Sequence, residues 1–406
     1  MTDDGWASAL YLDISIPQQI EQFLENSGEY QNGRWVRLSG APSAASELNE
    51  PLCKLFNSIL ERLLPSNGSI SRVAVDTHAH HFQAETIEET QCRCSPEIVV
   101  KASGPSFSCP KGSSLGFSNI STCFDTSLFH FDRSGAQHTP LFNIHDEPRT
   151  FIRLILGLCA VDERTLGLDI TVQWSVGAEG RKERGTVNTL GPDKSIVSYD
   201  LQMEEQPFVR TGLRGRGTIC WAVKNAKGER FIIKDYWMSG GQTTEFELLE
   251  EVKGLRGVCQ MVSYEPSRAQ TNDFRGKTDE LEQNAFCNRT AIRIVMKAYG
   301  PTLESFSSVE QVLAALRDAI AAHRLLLSRD ILHRDVCPNN ILLGAPGSDD
   351  GELGILIDLD LAYRIHVLDA QHRADPKIGT RMFQSLMVLR TAEMEEKENL
   401  STRLFG

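Results

Sequence analysis

Several stretches of the chain carry side chains whose types and spacing suit phosphoryl chemistry. In His333-Arg334-Asp335-Val336-Cys337-Pro338-Asn339-Asn340, a carboxylate and an amide stand five positions apart. A carboxylate set against an acceptor hydroxyl can take its proton, and an amide oxygen one loop turn later can reach a metal held by phosphates. The run Gly354-Ile355-Leu356-Ile357 is an apolar strand ending in Asp358, a rigid place from which a second oxygen could meet Mg²⁺ beside Asn340. Upstream, Leu213-Arg214-Gly215-Arg216-Gly217-Thr218 sits between strand-like runs. The backbone N–H groups of Gly215 and Gly217 could approach phosphate oxygens there. Alone, that glycine pair would read as a plain hairpin turn. Phe231-Ile232-Ile233-Lys234 is a buried strand ending in a point charge suited to phosphates.

These groups need elements to hold them. After Lys234 comes a helix in which Glu245, Leu248, Leu249 and Val252 fall at i, i+3, i+4 and i+7. Glu245 therefore shares the inward stripe, Glu247 lies roughly opposite, and Glu245 is the expected partner of Lys234. A strand over 291–296 leads into Lys297-Ala298-Tyr299-Gly300-Pro301, a hinge at which Ala298 would meet an adenine through its backbone. A helix over 308–327 carries Val309, Val312, Leu313, Leu316, Ile320 and Leu327 on one face and runs directly into the His333 string. Nearer the start, Ser15-Ile16-Pro17-Gln18 reads as a capping box opening a short helix, and 48–64 as a longer amphipathic one. Strands are expected at 72–77, 97–101 and 168–174, and a Gly-, Ser- and Pro-rich loop over 103–121.

Composition narrows the classes. With 406 residues, 41% hydrophobic and 24% charged, the chain is an ordinary globular one with room for two or three cores. Its net charge of −12 has the wrong sign for coating nucleic acid, so no nucleic-acid partner is expected. MTDDGWASAL lacks a secretory signal, and no apolar run approaches the ~20 residues of a membrane span. The expected address is cytoplasmic or nuclear, not secreted and without a membrane partner, with the 10 cysteines as free thiols.

The assembled motifs resemble a eukaryotic-type protein kinase, and the chain is similar to the fungal-type protein kinase family in particular. The strings that carry the resemblance are Phe131-Asp132-Arg133-Ser134-Gly135, Leu166-Gly167-Leu168-Asp169, Gly215-Arg216-Gly217-Thr218, Ile233-Lys234-Asp235 and Leu356-Ile357-Asp358-Leu359-Asp360. The similarity implies an α+β, bilobal kinase-like fold: an N-terminal α/β extension over 1–135, a family-specific region over 136–205, an N-lobe over 206–300 and an incomplete C-lobe over 301–406. It implies ATP and Mg²⁺ as cofactors and transfer to Ser or Thr of an unidentified protein. Asp335 would be the base, Lys234 and Glu245 the ion pair on ATP, Gly215, Gly217 and Ala298 nucleotide contacts, and Asn340 and Asp358 the metal ligands.

Four departures qualify the resemblance. Cys337 stands where most Ser/Thr kinases carry lysine, and Leu359-Asp360 replaces Phe-Gly. Met387 occupies the place of a structural glutamate, and the helices expected beyond it are missing. An exposed apolar face on the 308–327 helix follows, and with it a partner chain covering the incomplete lobe. The alternative reading is a catalytically impaired, nucleotide-binding scaffold. A third, a metal-dependent hydrolase, rests on Val75-Asp76-Thr77-His78-Ala79-His80-His81, where His78 and His80 could hold Zn²⁺ with help from Cys92 and Cys94. Surface histidines are the plainer explanation of that string.

Overall fold

The computed structural model describes residues 10–14, 17–38, 45–64, 71–77, 82–84, 92–94, 97–103, 107, 116–120, 125–126, 128–177, 182–210, 212–240, 243–275, 286–345, 347–365, 379–386 and 388–390. Ser15, Ile16, His78, His80, His81, Met387 and the tail from 391 lie outside them.

The first core forms because three amphipathic helices present apolar stripes to one small sheet. Helices α1 (Pro17–Asn26), α2 (Asn49–Leu63) and α3 (Pro148–Leu158) surround an antiparallel sheet of β1 (Arg72–Asp76), β2 (Ile98–Ala102) and β3 (Gly116–Ile120). Leu52, Leu55, Phe56 and Ile59 of α2 interlock with Phe151 and Ile152 of α3 and with Ile98 and Val100 of β2. Helix α3 starts at a proline, whose missing N–H costs nothing in a first turn. Strand β3 falls inside the stretch whose composition reads as loop. Its backbone pairs with β2 from Ala102↔Gly116 to Ile98↔Ile120, a non-local bond pattern that composition does not report.

Next in the chain is a hairpin, β4 (Phe129–Asp132) and β5 (Gly135–His138). Asp132 receives Arg275 through two hydrogen bonds of 2.6 and 2.7 Å. Burial raises the Asp132 carboxyl, but His130 and Arg275 outweigh it and hold the group down at about 2 from an ordinary 3.8. A depressed carboxyl gives stability that is whole above about pH 4 and is lost as pH falls through about 2. Asp132 should therefore contribute about 2 kcal/mol to the stability the chain loses between pH 4 and pH 2, and Asp132→Asn should remove that component from the acid unfolding curve.

The second body is one antiparallel sheet. In order its strands are β6 (Val172–Val176), β7 (Lys182–Leu190), β8 (Ile196–Leu201), β10 (Ile219–Lys224), β11 (Arg230–Ser239), β13 (Arg289–Lys297) and β12 (Met261–Glu265), with β9 (Phe208–Val209) also on β10. The sheet runs across position 205 without a break, through Asp200↔Lys224. It also curls on itself, because Glu265 at the end of β12 accepts hydrogen bonds from Thr189 Oγ1 and from Leu190 N of β7. The enclosed face buries Val187, Tyr199, Val223, Ile233 and Val295. One end of this roll is closed by Arg293, fully buried, which donates to Asp235 at 2.7 and 2.9 Å, to Asp169 at 3.0 Å, to Thr171 at 2.8 Å and to Asn188 O at 3.3 Å. Such a buried guanidinium is tolerable because its donors are answered.

On the other face of the sheet lies α4 (Glu245–Glu251), and beneath it α5 (Val309–Ser328) with short strands β14 (Ile331–Leu332), β15 (Ile341–Leu343), β16 (Gly354–Leu356) and β17 (Tyr363–Arg364). β15 pairs with β16 and β14 with β17. The buried side of α5 is mostly small: Ala315, Ala319 and Ala322, with Asp318 and Leu326. This lets β16 come so close that a Cβ on Gly354 would overlap the Ala315 carbonyl.

The apolar stripe of α5 is split by this packing. Val312 and Leu316 pack against the core from the side, whereas Val309, Leu313 and Ile320 are each about 60% exposed or more. Leu313→Lys and Ile320→Lys should therefore shift the unfolding free energy of the isolated chain by no more than about 0.5 kcal/mol each in a urea titration. No described helix is long and apolar enough to cross a membrane.

Candidate active site

Strand alternation decides where Lys234 goes. On β11, Ile233 and Asp235 turn into the rolled face, so Lys234 and Tyr236 face α4. Helix α4 is fixed by a capping box: Thr244 Oγ1 accepts from Glu247 N at 3.4 Å, and Glu247 accepts from Thr244 N at 2.8 Å. With Leu248 and Leu249 buried on the inner stripe, Glu245 is carried inward as well. Lys234 Nζ lies 2.7 Å from Glu245 Oε2 and 2.5 Å from Asp358 Oδ1, with Asp360 Oδ2 at 3.8 Å. The Glu245 contact is an attraction of charges, since neither of its oxygens has a directed donor.

The electrostatics follow from burial. Burial alone lowers the Lys234 ammonium, but Asp358, Glu245 and Asp360 outweigh it and hold it well above its ordinary value. Glu245 is pushed up to about 7 by burial, partly opposed by Lys234 and reinforced by Asp358 and Asp360. For Asp358 burial raises the carboxyl, yet Lys234, Arg216 and His333 together bring it below its ordinary value. The neighbouring thiols are inert, with Cys220 and Cys259 both pushed up to about 12, chiefly by burial.

The second cluster lies on the loop after β14. Asn340 Nδ2 donates to Asp335 O at 2.8 Å and to Asp335 Oδ2 at 3.1 Å, which leaves the amide oxygen turned away from the carboxylate. Thr380 donates to Asp335 Oδ1 through N and Oγ1, both at 2.7 Å. His333, fully buried, joins the two clusters: Nδ1 accepts from Asp335 N at 3.3 Å and Nε2 lies 2.9 Å from Ile357 O. Burial lowers its pKa, which suits the neutral ring these contacts require. Ile357 N also donates to Asn340 O at 3.0 Å, so Asp358 follows directly from a segment bonded to Asn340. Arg334 and Asp358 both hold left-handed backbone, at φ 64° and 66°. Non-glycine residues in that region store strain, and such residues gather at functional sites.

Lys234, Glu245 and Asp358 meet; Asp335 and Asn340 meet; the His333 bridge brings the two groups side by side. Ala298 follows β13, half-buried, between Lys297, whose N–H reaches Gln260 O, and Gly300, whose N–H reaches Leu343 O at 3.0 Å. Gly215 and Gly217 have φ of 117° and 53° in the turn between β9 and β10. This turn is tied toward Lys234, since Arg216 O accepts from Trp237 N at 2.7 Å and the Arg216 guanidinium pairs with Asp360.

Sequence reasoning missed Arg216, Asp360, His333 and Thr380 as members of the site. Arg216 sits inside the recognised turn, but its partner is far off in the chain and no spacing announces the pair. His78 and His80 lie outside the described residues, as do the side chains of Cys92 and Cys94. Among the described residues no group of three or more His, Cys, Asp or Glu could hold a metal. A magnesium ion carried by phosphates needs only one or two protein oxygens, since phosphate and water fill the rest of its octahedron. Asp358 and the Asn340 amide are hard oxygen donors of this kind.

A family model described as fungal protein kinase matches residues 116–401. No curated protein matches the chain.

Proposed function

Since the chain belongs to the fungal protein kinase family, and so to the kinase class of transferases, we propose that it moves the terminal phosphoryl group of ATP to a Ser or Thr hydroxyl of a protein. The observation that carries this reading is Lys234, held between Glu245 and Asp358 at 2.7 and 2.5 Å. A lysine fixed by a helix glutamate, beside a strained aspartate that can turn to a metal, is what binding of a triphosphate requires.

In this reading the rolled sheet with α4 is the upper of two lobes, α5 with its hairpins belongs to the lower, and residues 297–301 join them. Lys234 shifts from Asp358 to the phosphates when nucleotide enters, while Glu245 keeps its ammonium in place. Asp358 and the Asn340 amide oxygen would hold Mg²⁺, whose charge would offset that on the transferred group and its leaving oxygen. Asp335 orients the acceptor hydroxyl and takes its proton as the new O–P bond forms and the bond to ADP breaks. Asn340 and Thr380 aim the Asp335 carboxylate.

Incubation of the purified chain with γ-labelled ATP, Mg²⁺ and a mixture of casein and histone tests the proposal. Label on serine or threonine that disappears with EDTA is expected; no label, or label that survives EDTA, overturns it. A second reading, a nucleotide-binding scaffold, is favoured by one observation: Cys337 places a buried thiol two residues after Asp335, and a thiol brings no positive charge to the phosphoryl group. Mg-ATP binding without any turnover would select it.

A further inference from the structure

The glycine turn is gripped from a second direction, by a segment that precedes the rolled sheet in the chain. The β4–β5 hairpin turns at Arg133 and Ser134, and the flanks of that turn are anchored to the sheet side of the molecule. Asp132 holds Arg275, with both side chains no more than 10% exposed. Ser134 Oγ donates to Cys287 O at 2.6 Å and lies 2.7 Å from Thr271 Oγ1. Arg133 is the residue between these anchors, and among the described residues its hydrogen bonds go to the glycine turn. Nη1 donates to Gly212 O at 2.7 Å and to Leu213 O at 3.3 Å, and its own carbonyl accepts from Gly215 N at 2.9 Å. The guanidinium occupies the space that a Cβ on Gly217 would need.

We propose that Arg133 is a positioning residue of the nucleotide site, one that fixes the shape of the turn over the triphosphate, so that the upstream hairpin is part of the ATP-binding machinery. The inference rests on the phosphoryl-transfer reading above. Its physical basis is the freedom of the turn. Two glycines at positive φ leave the backbone of the turn easy to reshape, and ordering it upon ligand binding would cost affinity. Arg133 orders it beforehand with three hydrogen bonds made from one anchored residue. Arg216, paired with Asp360, fixes the opposite side, and the two arginines together leave the turn a single shape. A guanidinium suits the place because Nη1 serves two carbonyls while the rest of the group fills the space beside Gly217; a lysine ammonium can reach a carbonyl but leaves that space unfilled.

The test compares wild type, Arg133→Ala and Arg133→Lys in the full chain. Amide hydrogen exchange of residues 212–217, affinity for Mg-ATP, affinity for adenosine and the melting temperature are measured side by side. In both variants the turn should exchange about tenfold faster and Mg-ATP should bind about tenfold more weakly, the scale of one or two lost hydrogen bonds. Adenosine affinity and melting temperature should stay at their wild-type values, because the turn faces phosphate and not base. Wild-type Mg-ATP affinity in Arg133→Ala, or an equal loss for adenosine, overturns the proposal. A wild-type chain that binds no nucleotide overturns the phosphoryl-transfer reading instead. The exchange arm then still decides the clamp, which unchanged protection in Arg133→Ala would sink.

Discussion

Lys234→Met is expected to destabilise the chain by about 3–5 kcal/mol, the scale of breaking a buried ion pair by removing one partner. Glu245 and Asp360 are almost wholly buried and Asp358 is mostly so, and Lys234 is the charge they share. Removing it leaves Glu245 with no cation and Asp360 with Arg216 alone. The pH dependence has a definite sign. Glu245 is raised to about 7 by burial, with Lys234 opposing and Asp358 and Asp360 adding. A raised carboxyl holds its proton more tightly folded than unfolded, so its contribution is whole below the ordinary 4.5 and falls as pH rises through about 7. Without Lys234 the rise goes further, and the variant should be weaker at pH 8 than at pH 5. Adding Glu245→Gln should return much of the loss, since a neutral amide needs no counter-charge. Urea titrations at both pH values check this; a loss that is the same at both, or strictly additive in the double variant, counts against the charge balance described.

Asp335→Ala should lower kcat by about 10²–10⁴-fold while the KM for ATP changes little, the range for losing a positioned proton acceptor. The carboxylate lies in the loop cluster with Asn340 and Thr380, on the far side of the His333 bridge from Lys234. The nucleotide contacts therefore remain when it is removed, and the loss falls on the chemical step. Because Thr380 and Asn340 each lose an acceptor, the melting temperature is measured alongside the rate. A variant that keeps more than about a tenth of the wild-type rate removes Asp335 from the chemistry.

Local pattern made most of the site legible. The i, i+3, i+4 and i+7 spacing selected Glu245 over Glu247, and Glu245 is the one that meets Lys234, while Glu247 serves the capping box. Helix α2 was equally readable because its stripe and its buried face coincide. What stayed hidden is non-local. The rolling of the sheet depends on Glu265 reaching Thr189 and Leu190, and the turn clamp depends on Arg133 reaching Gly212 and Leu213; neither leaves a period or a motif. The exposed face of α5 is expected from the resemblance and not from the stripe itself, since periodicity marks an apolar face but not whether anything covers it. Val309, Leu313 and Ile320 are as periodic as any core positions and face outward. β3 shows that Gly- and Ser-rich text can still pair as a strand when a neighbouring edge accepts it.

The central claim is that Lys234, Glu245, Asp335, Asn340 and Asp358 converge on one metal-bound triphosphate. Titration of Mn²⁺ in the presence of ATP, followed by electron paramagnetic resonance, reads that claim without requiring a substrate. Wild type should take up one stoichiometric Mn²⁺–nucleotide complex, with uptake lost in Asp358→Asn and weakened in Asn340→Ala. A wild-type chain that leaves the Mn²⁺ spectrum unchanged, or an Asp358→Asn variant that binds as tightly as wild type, contradicts it.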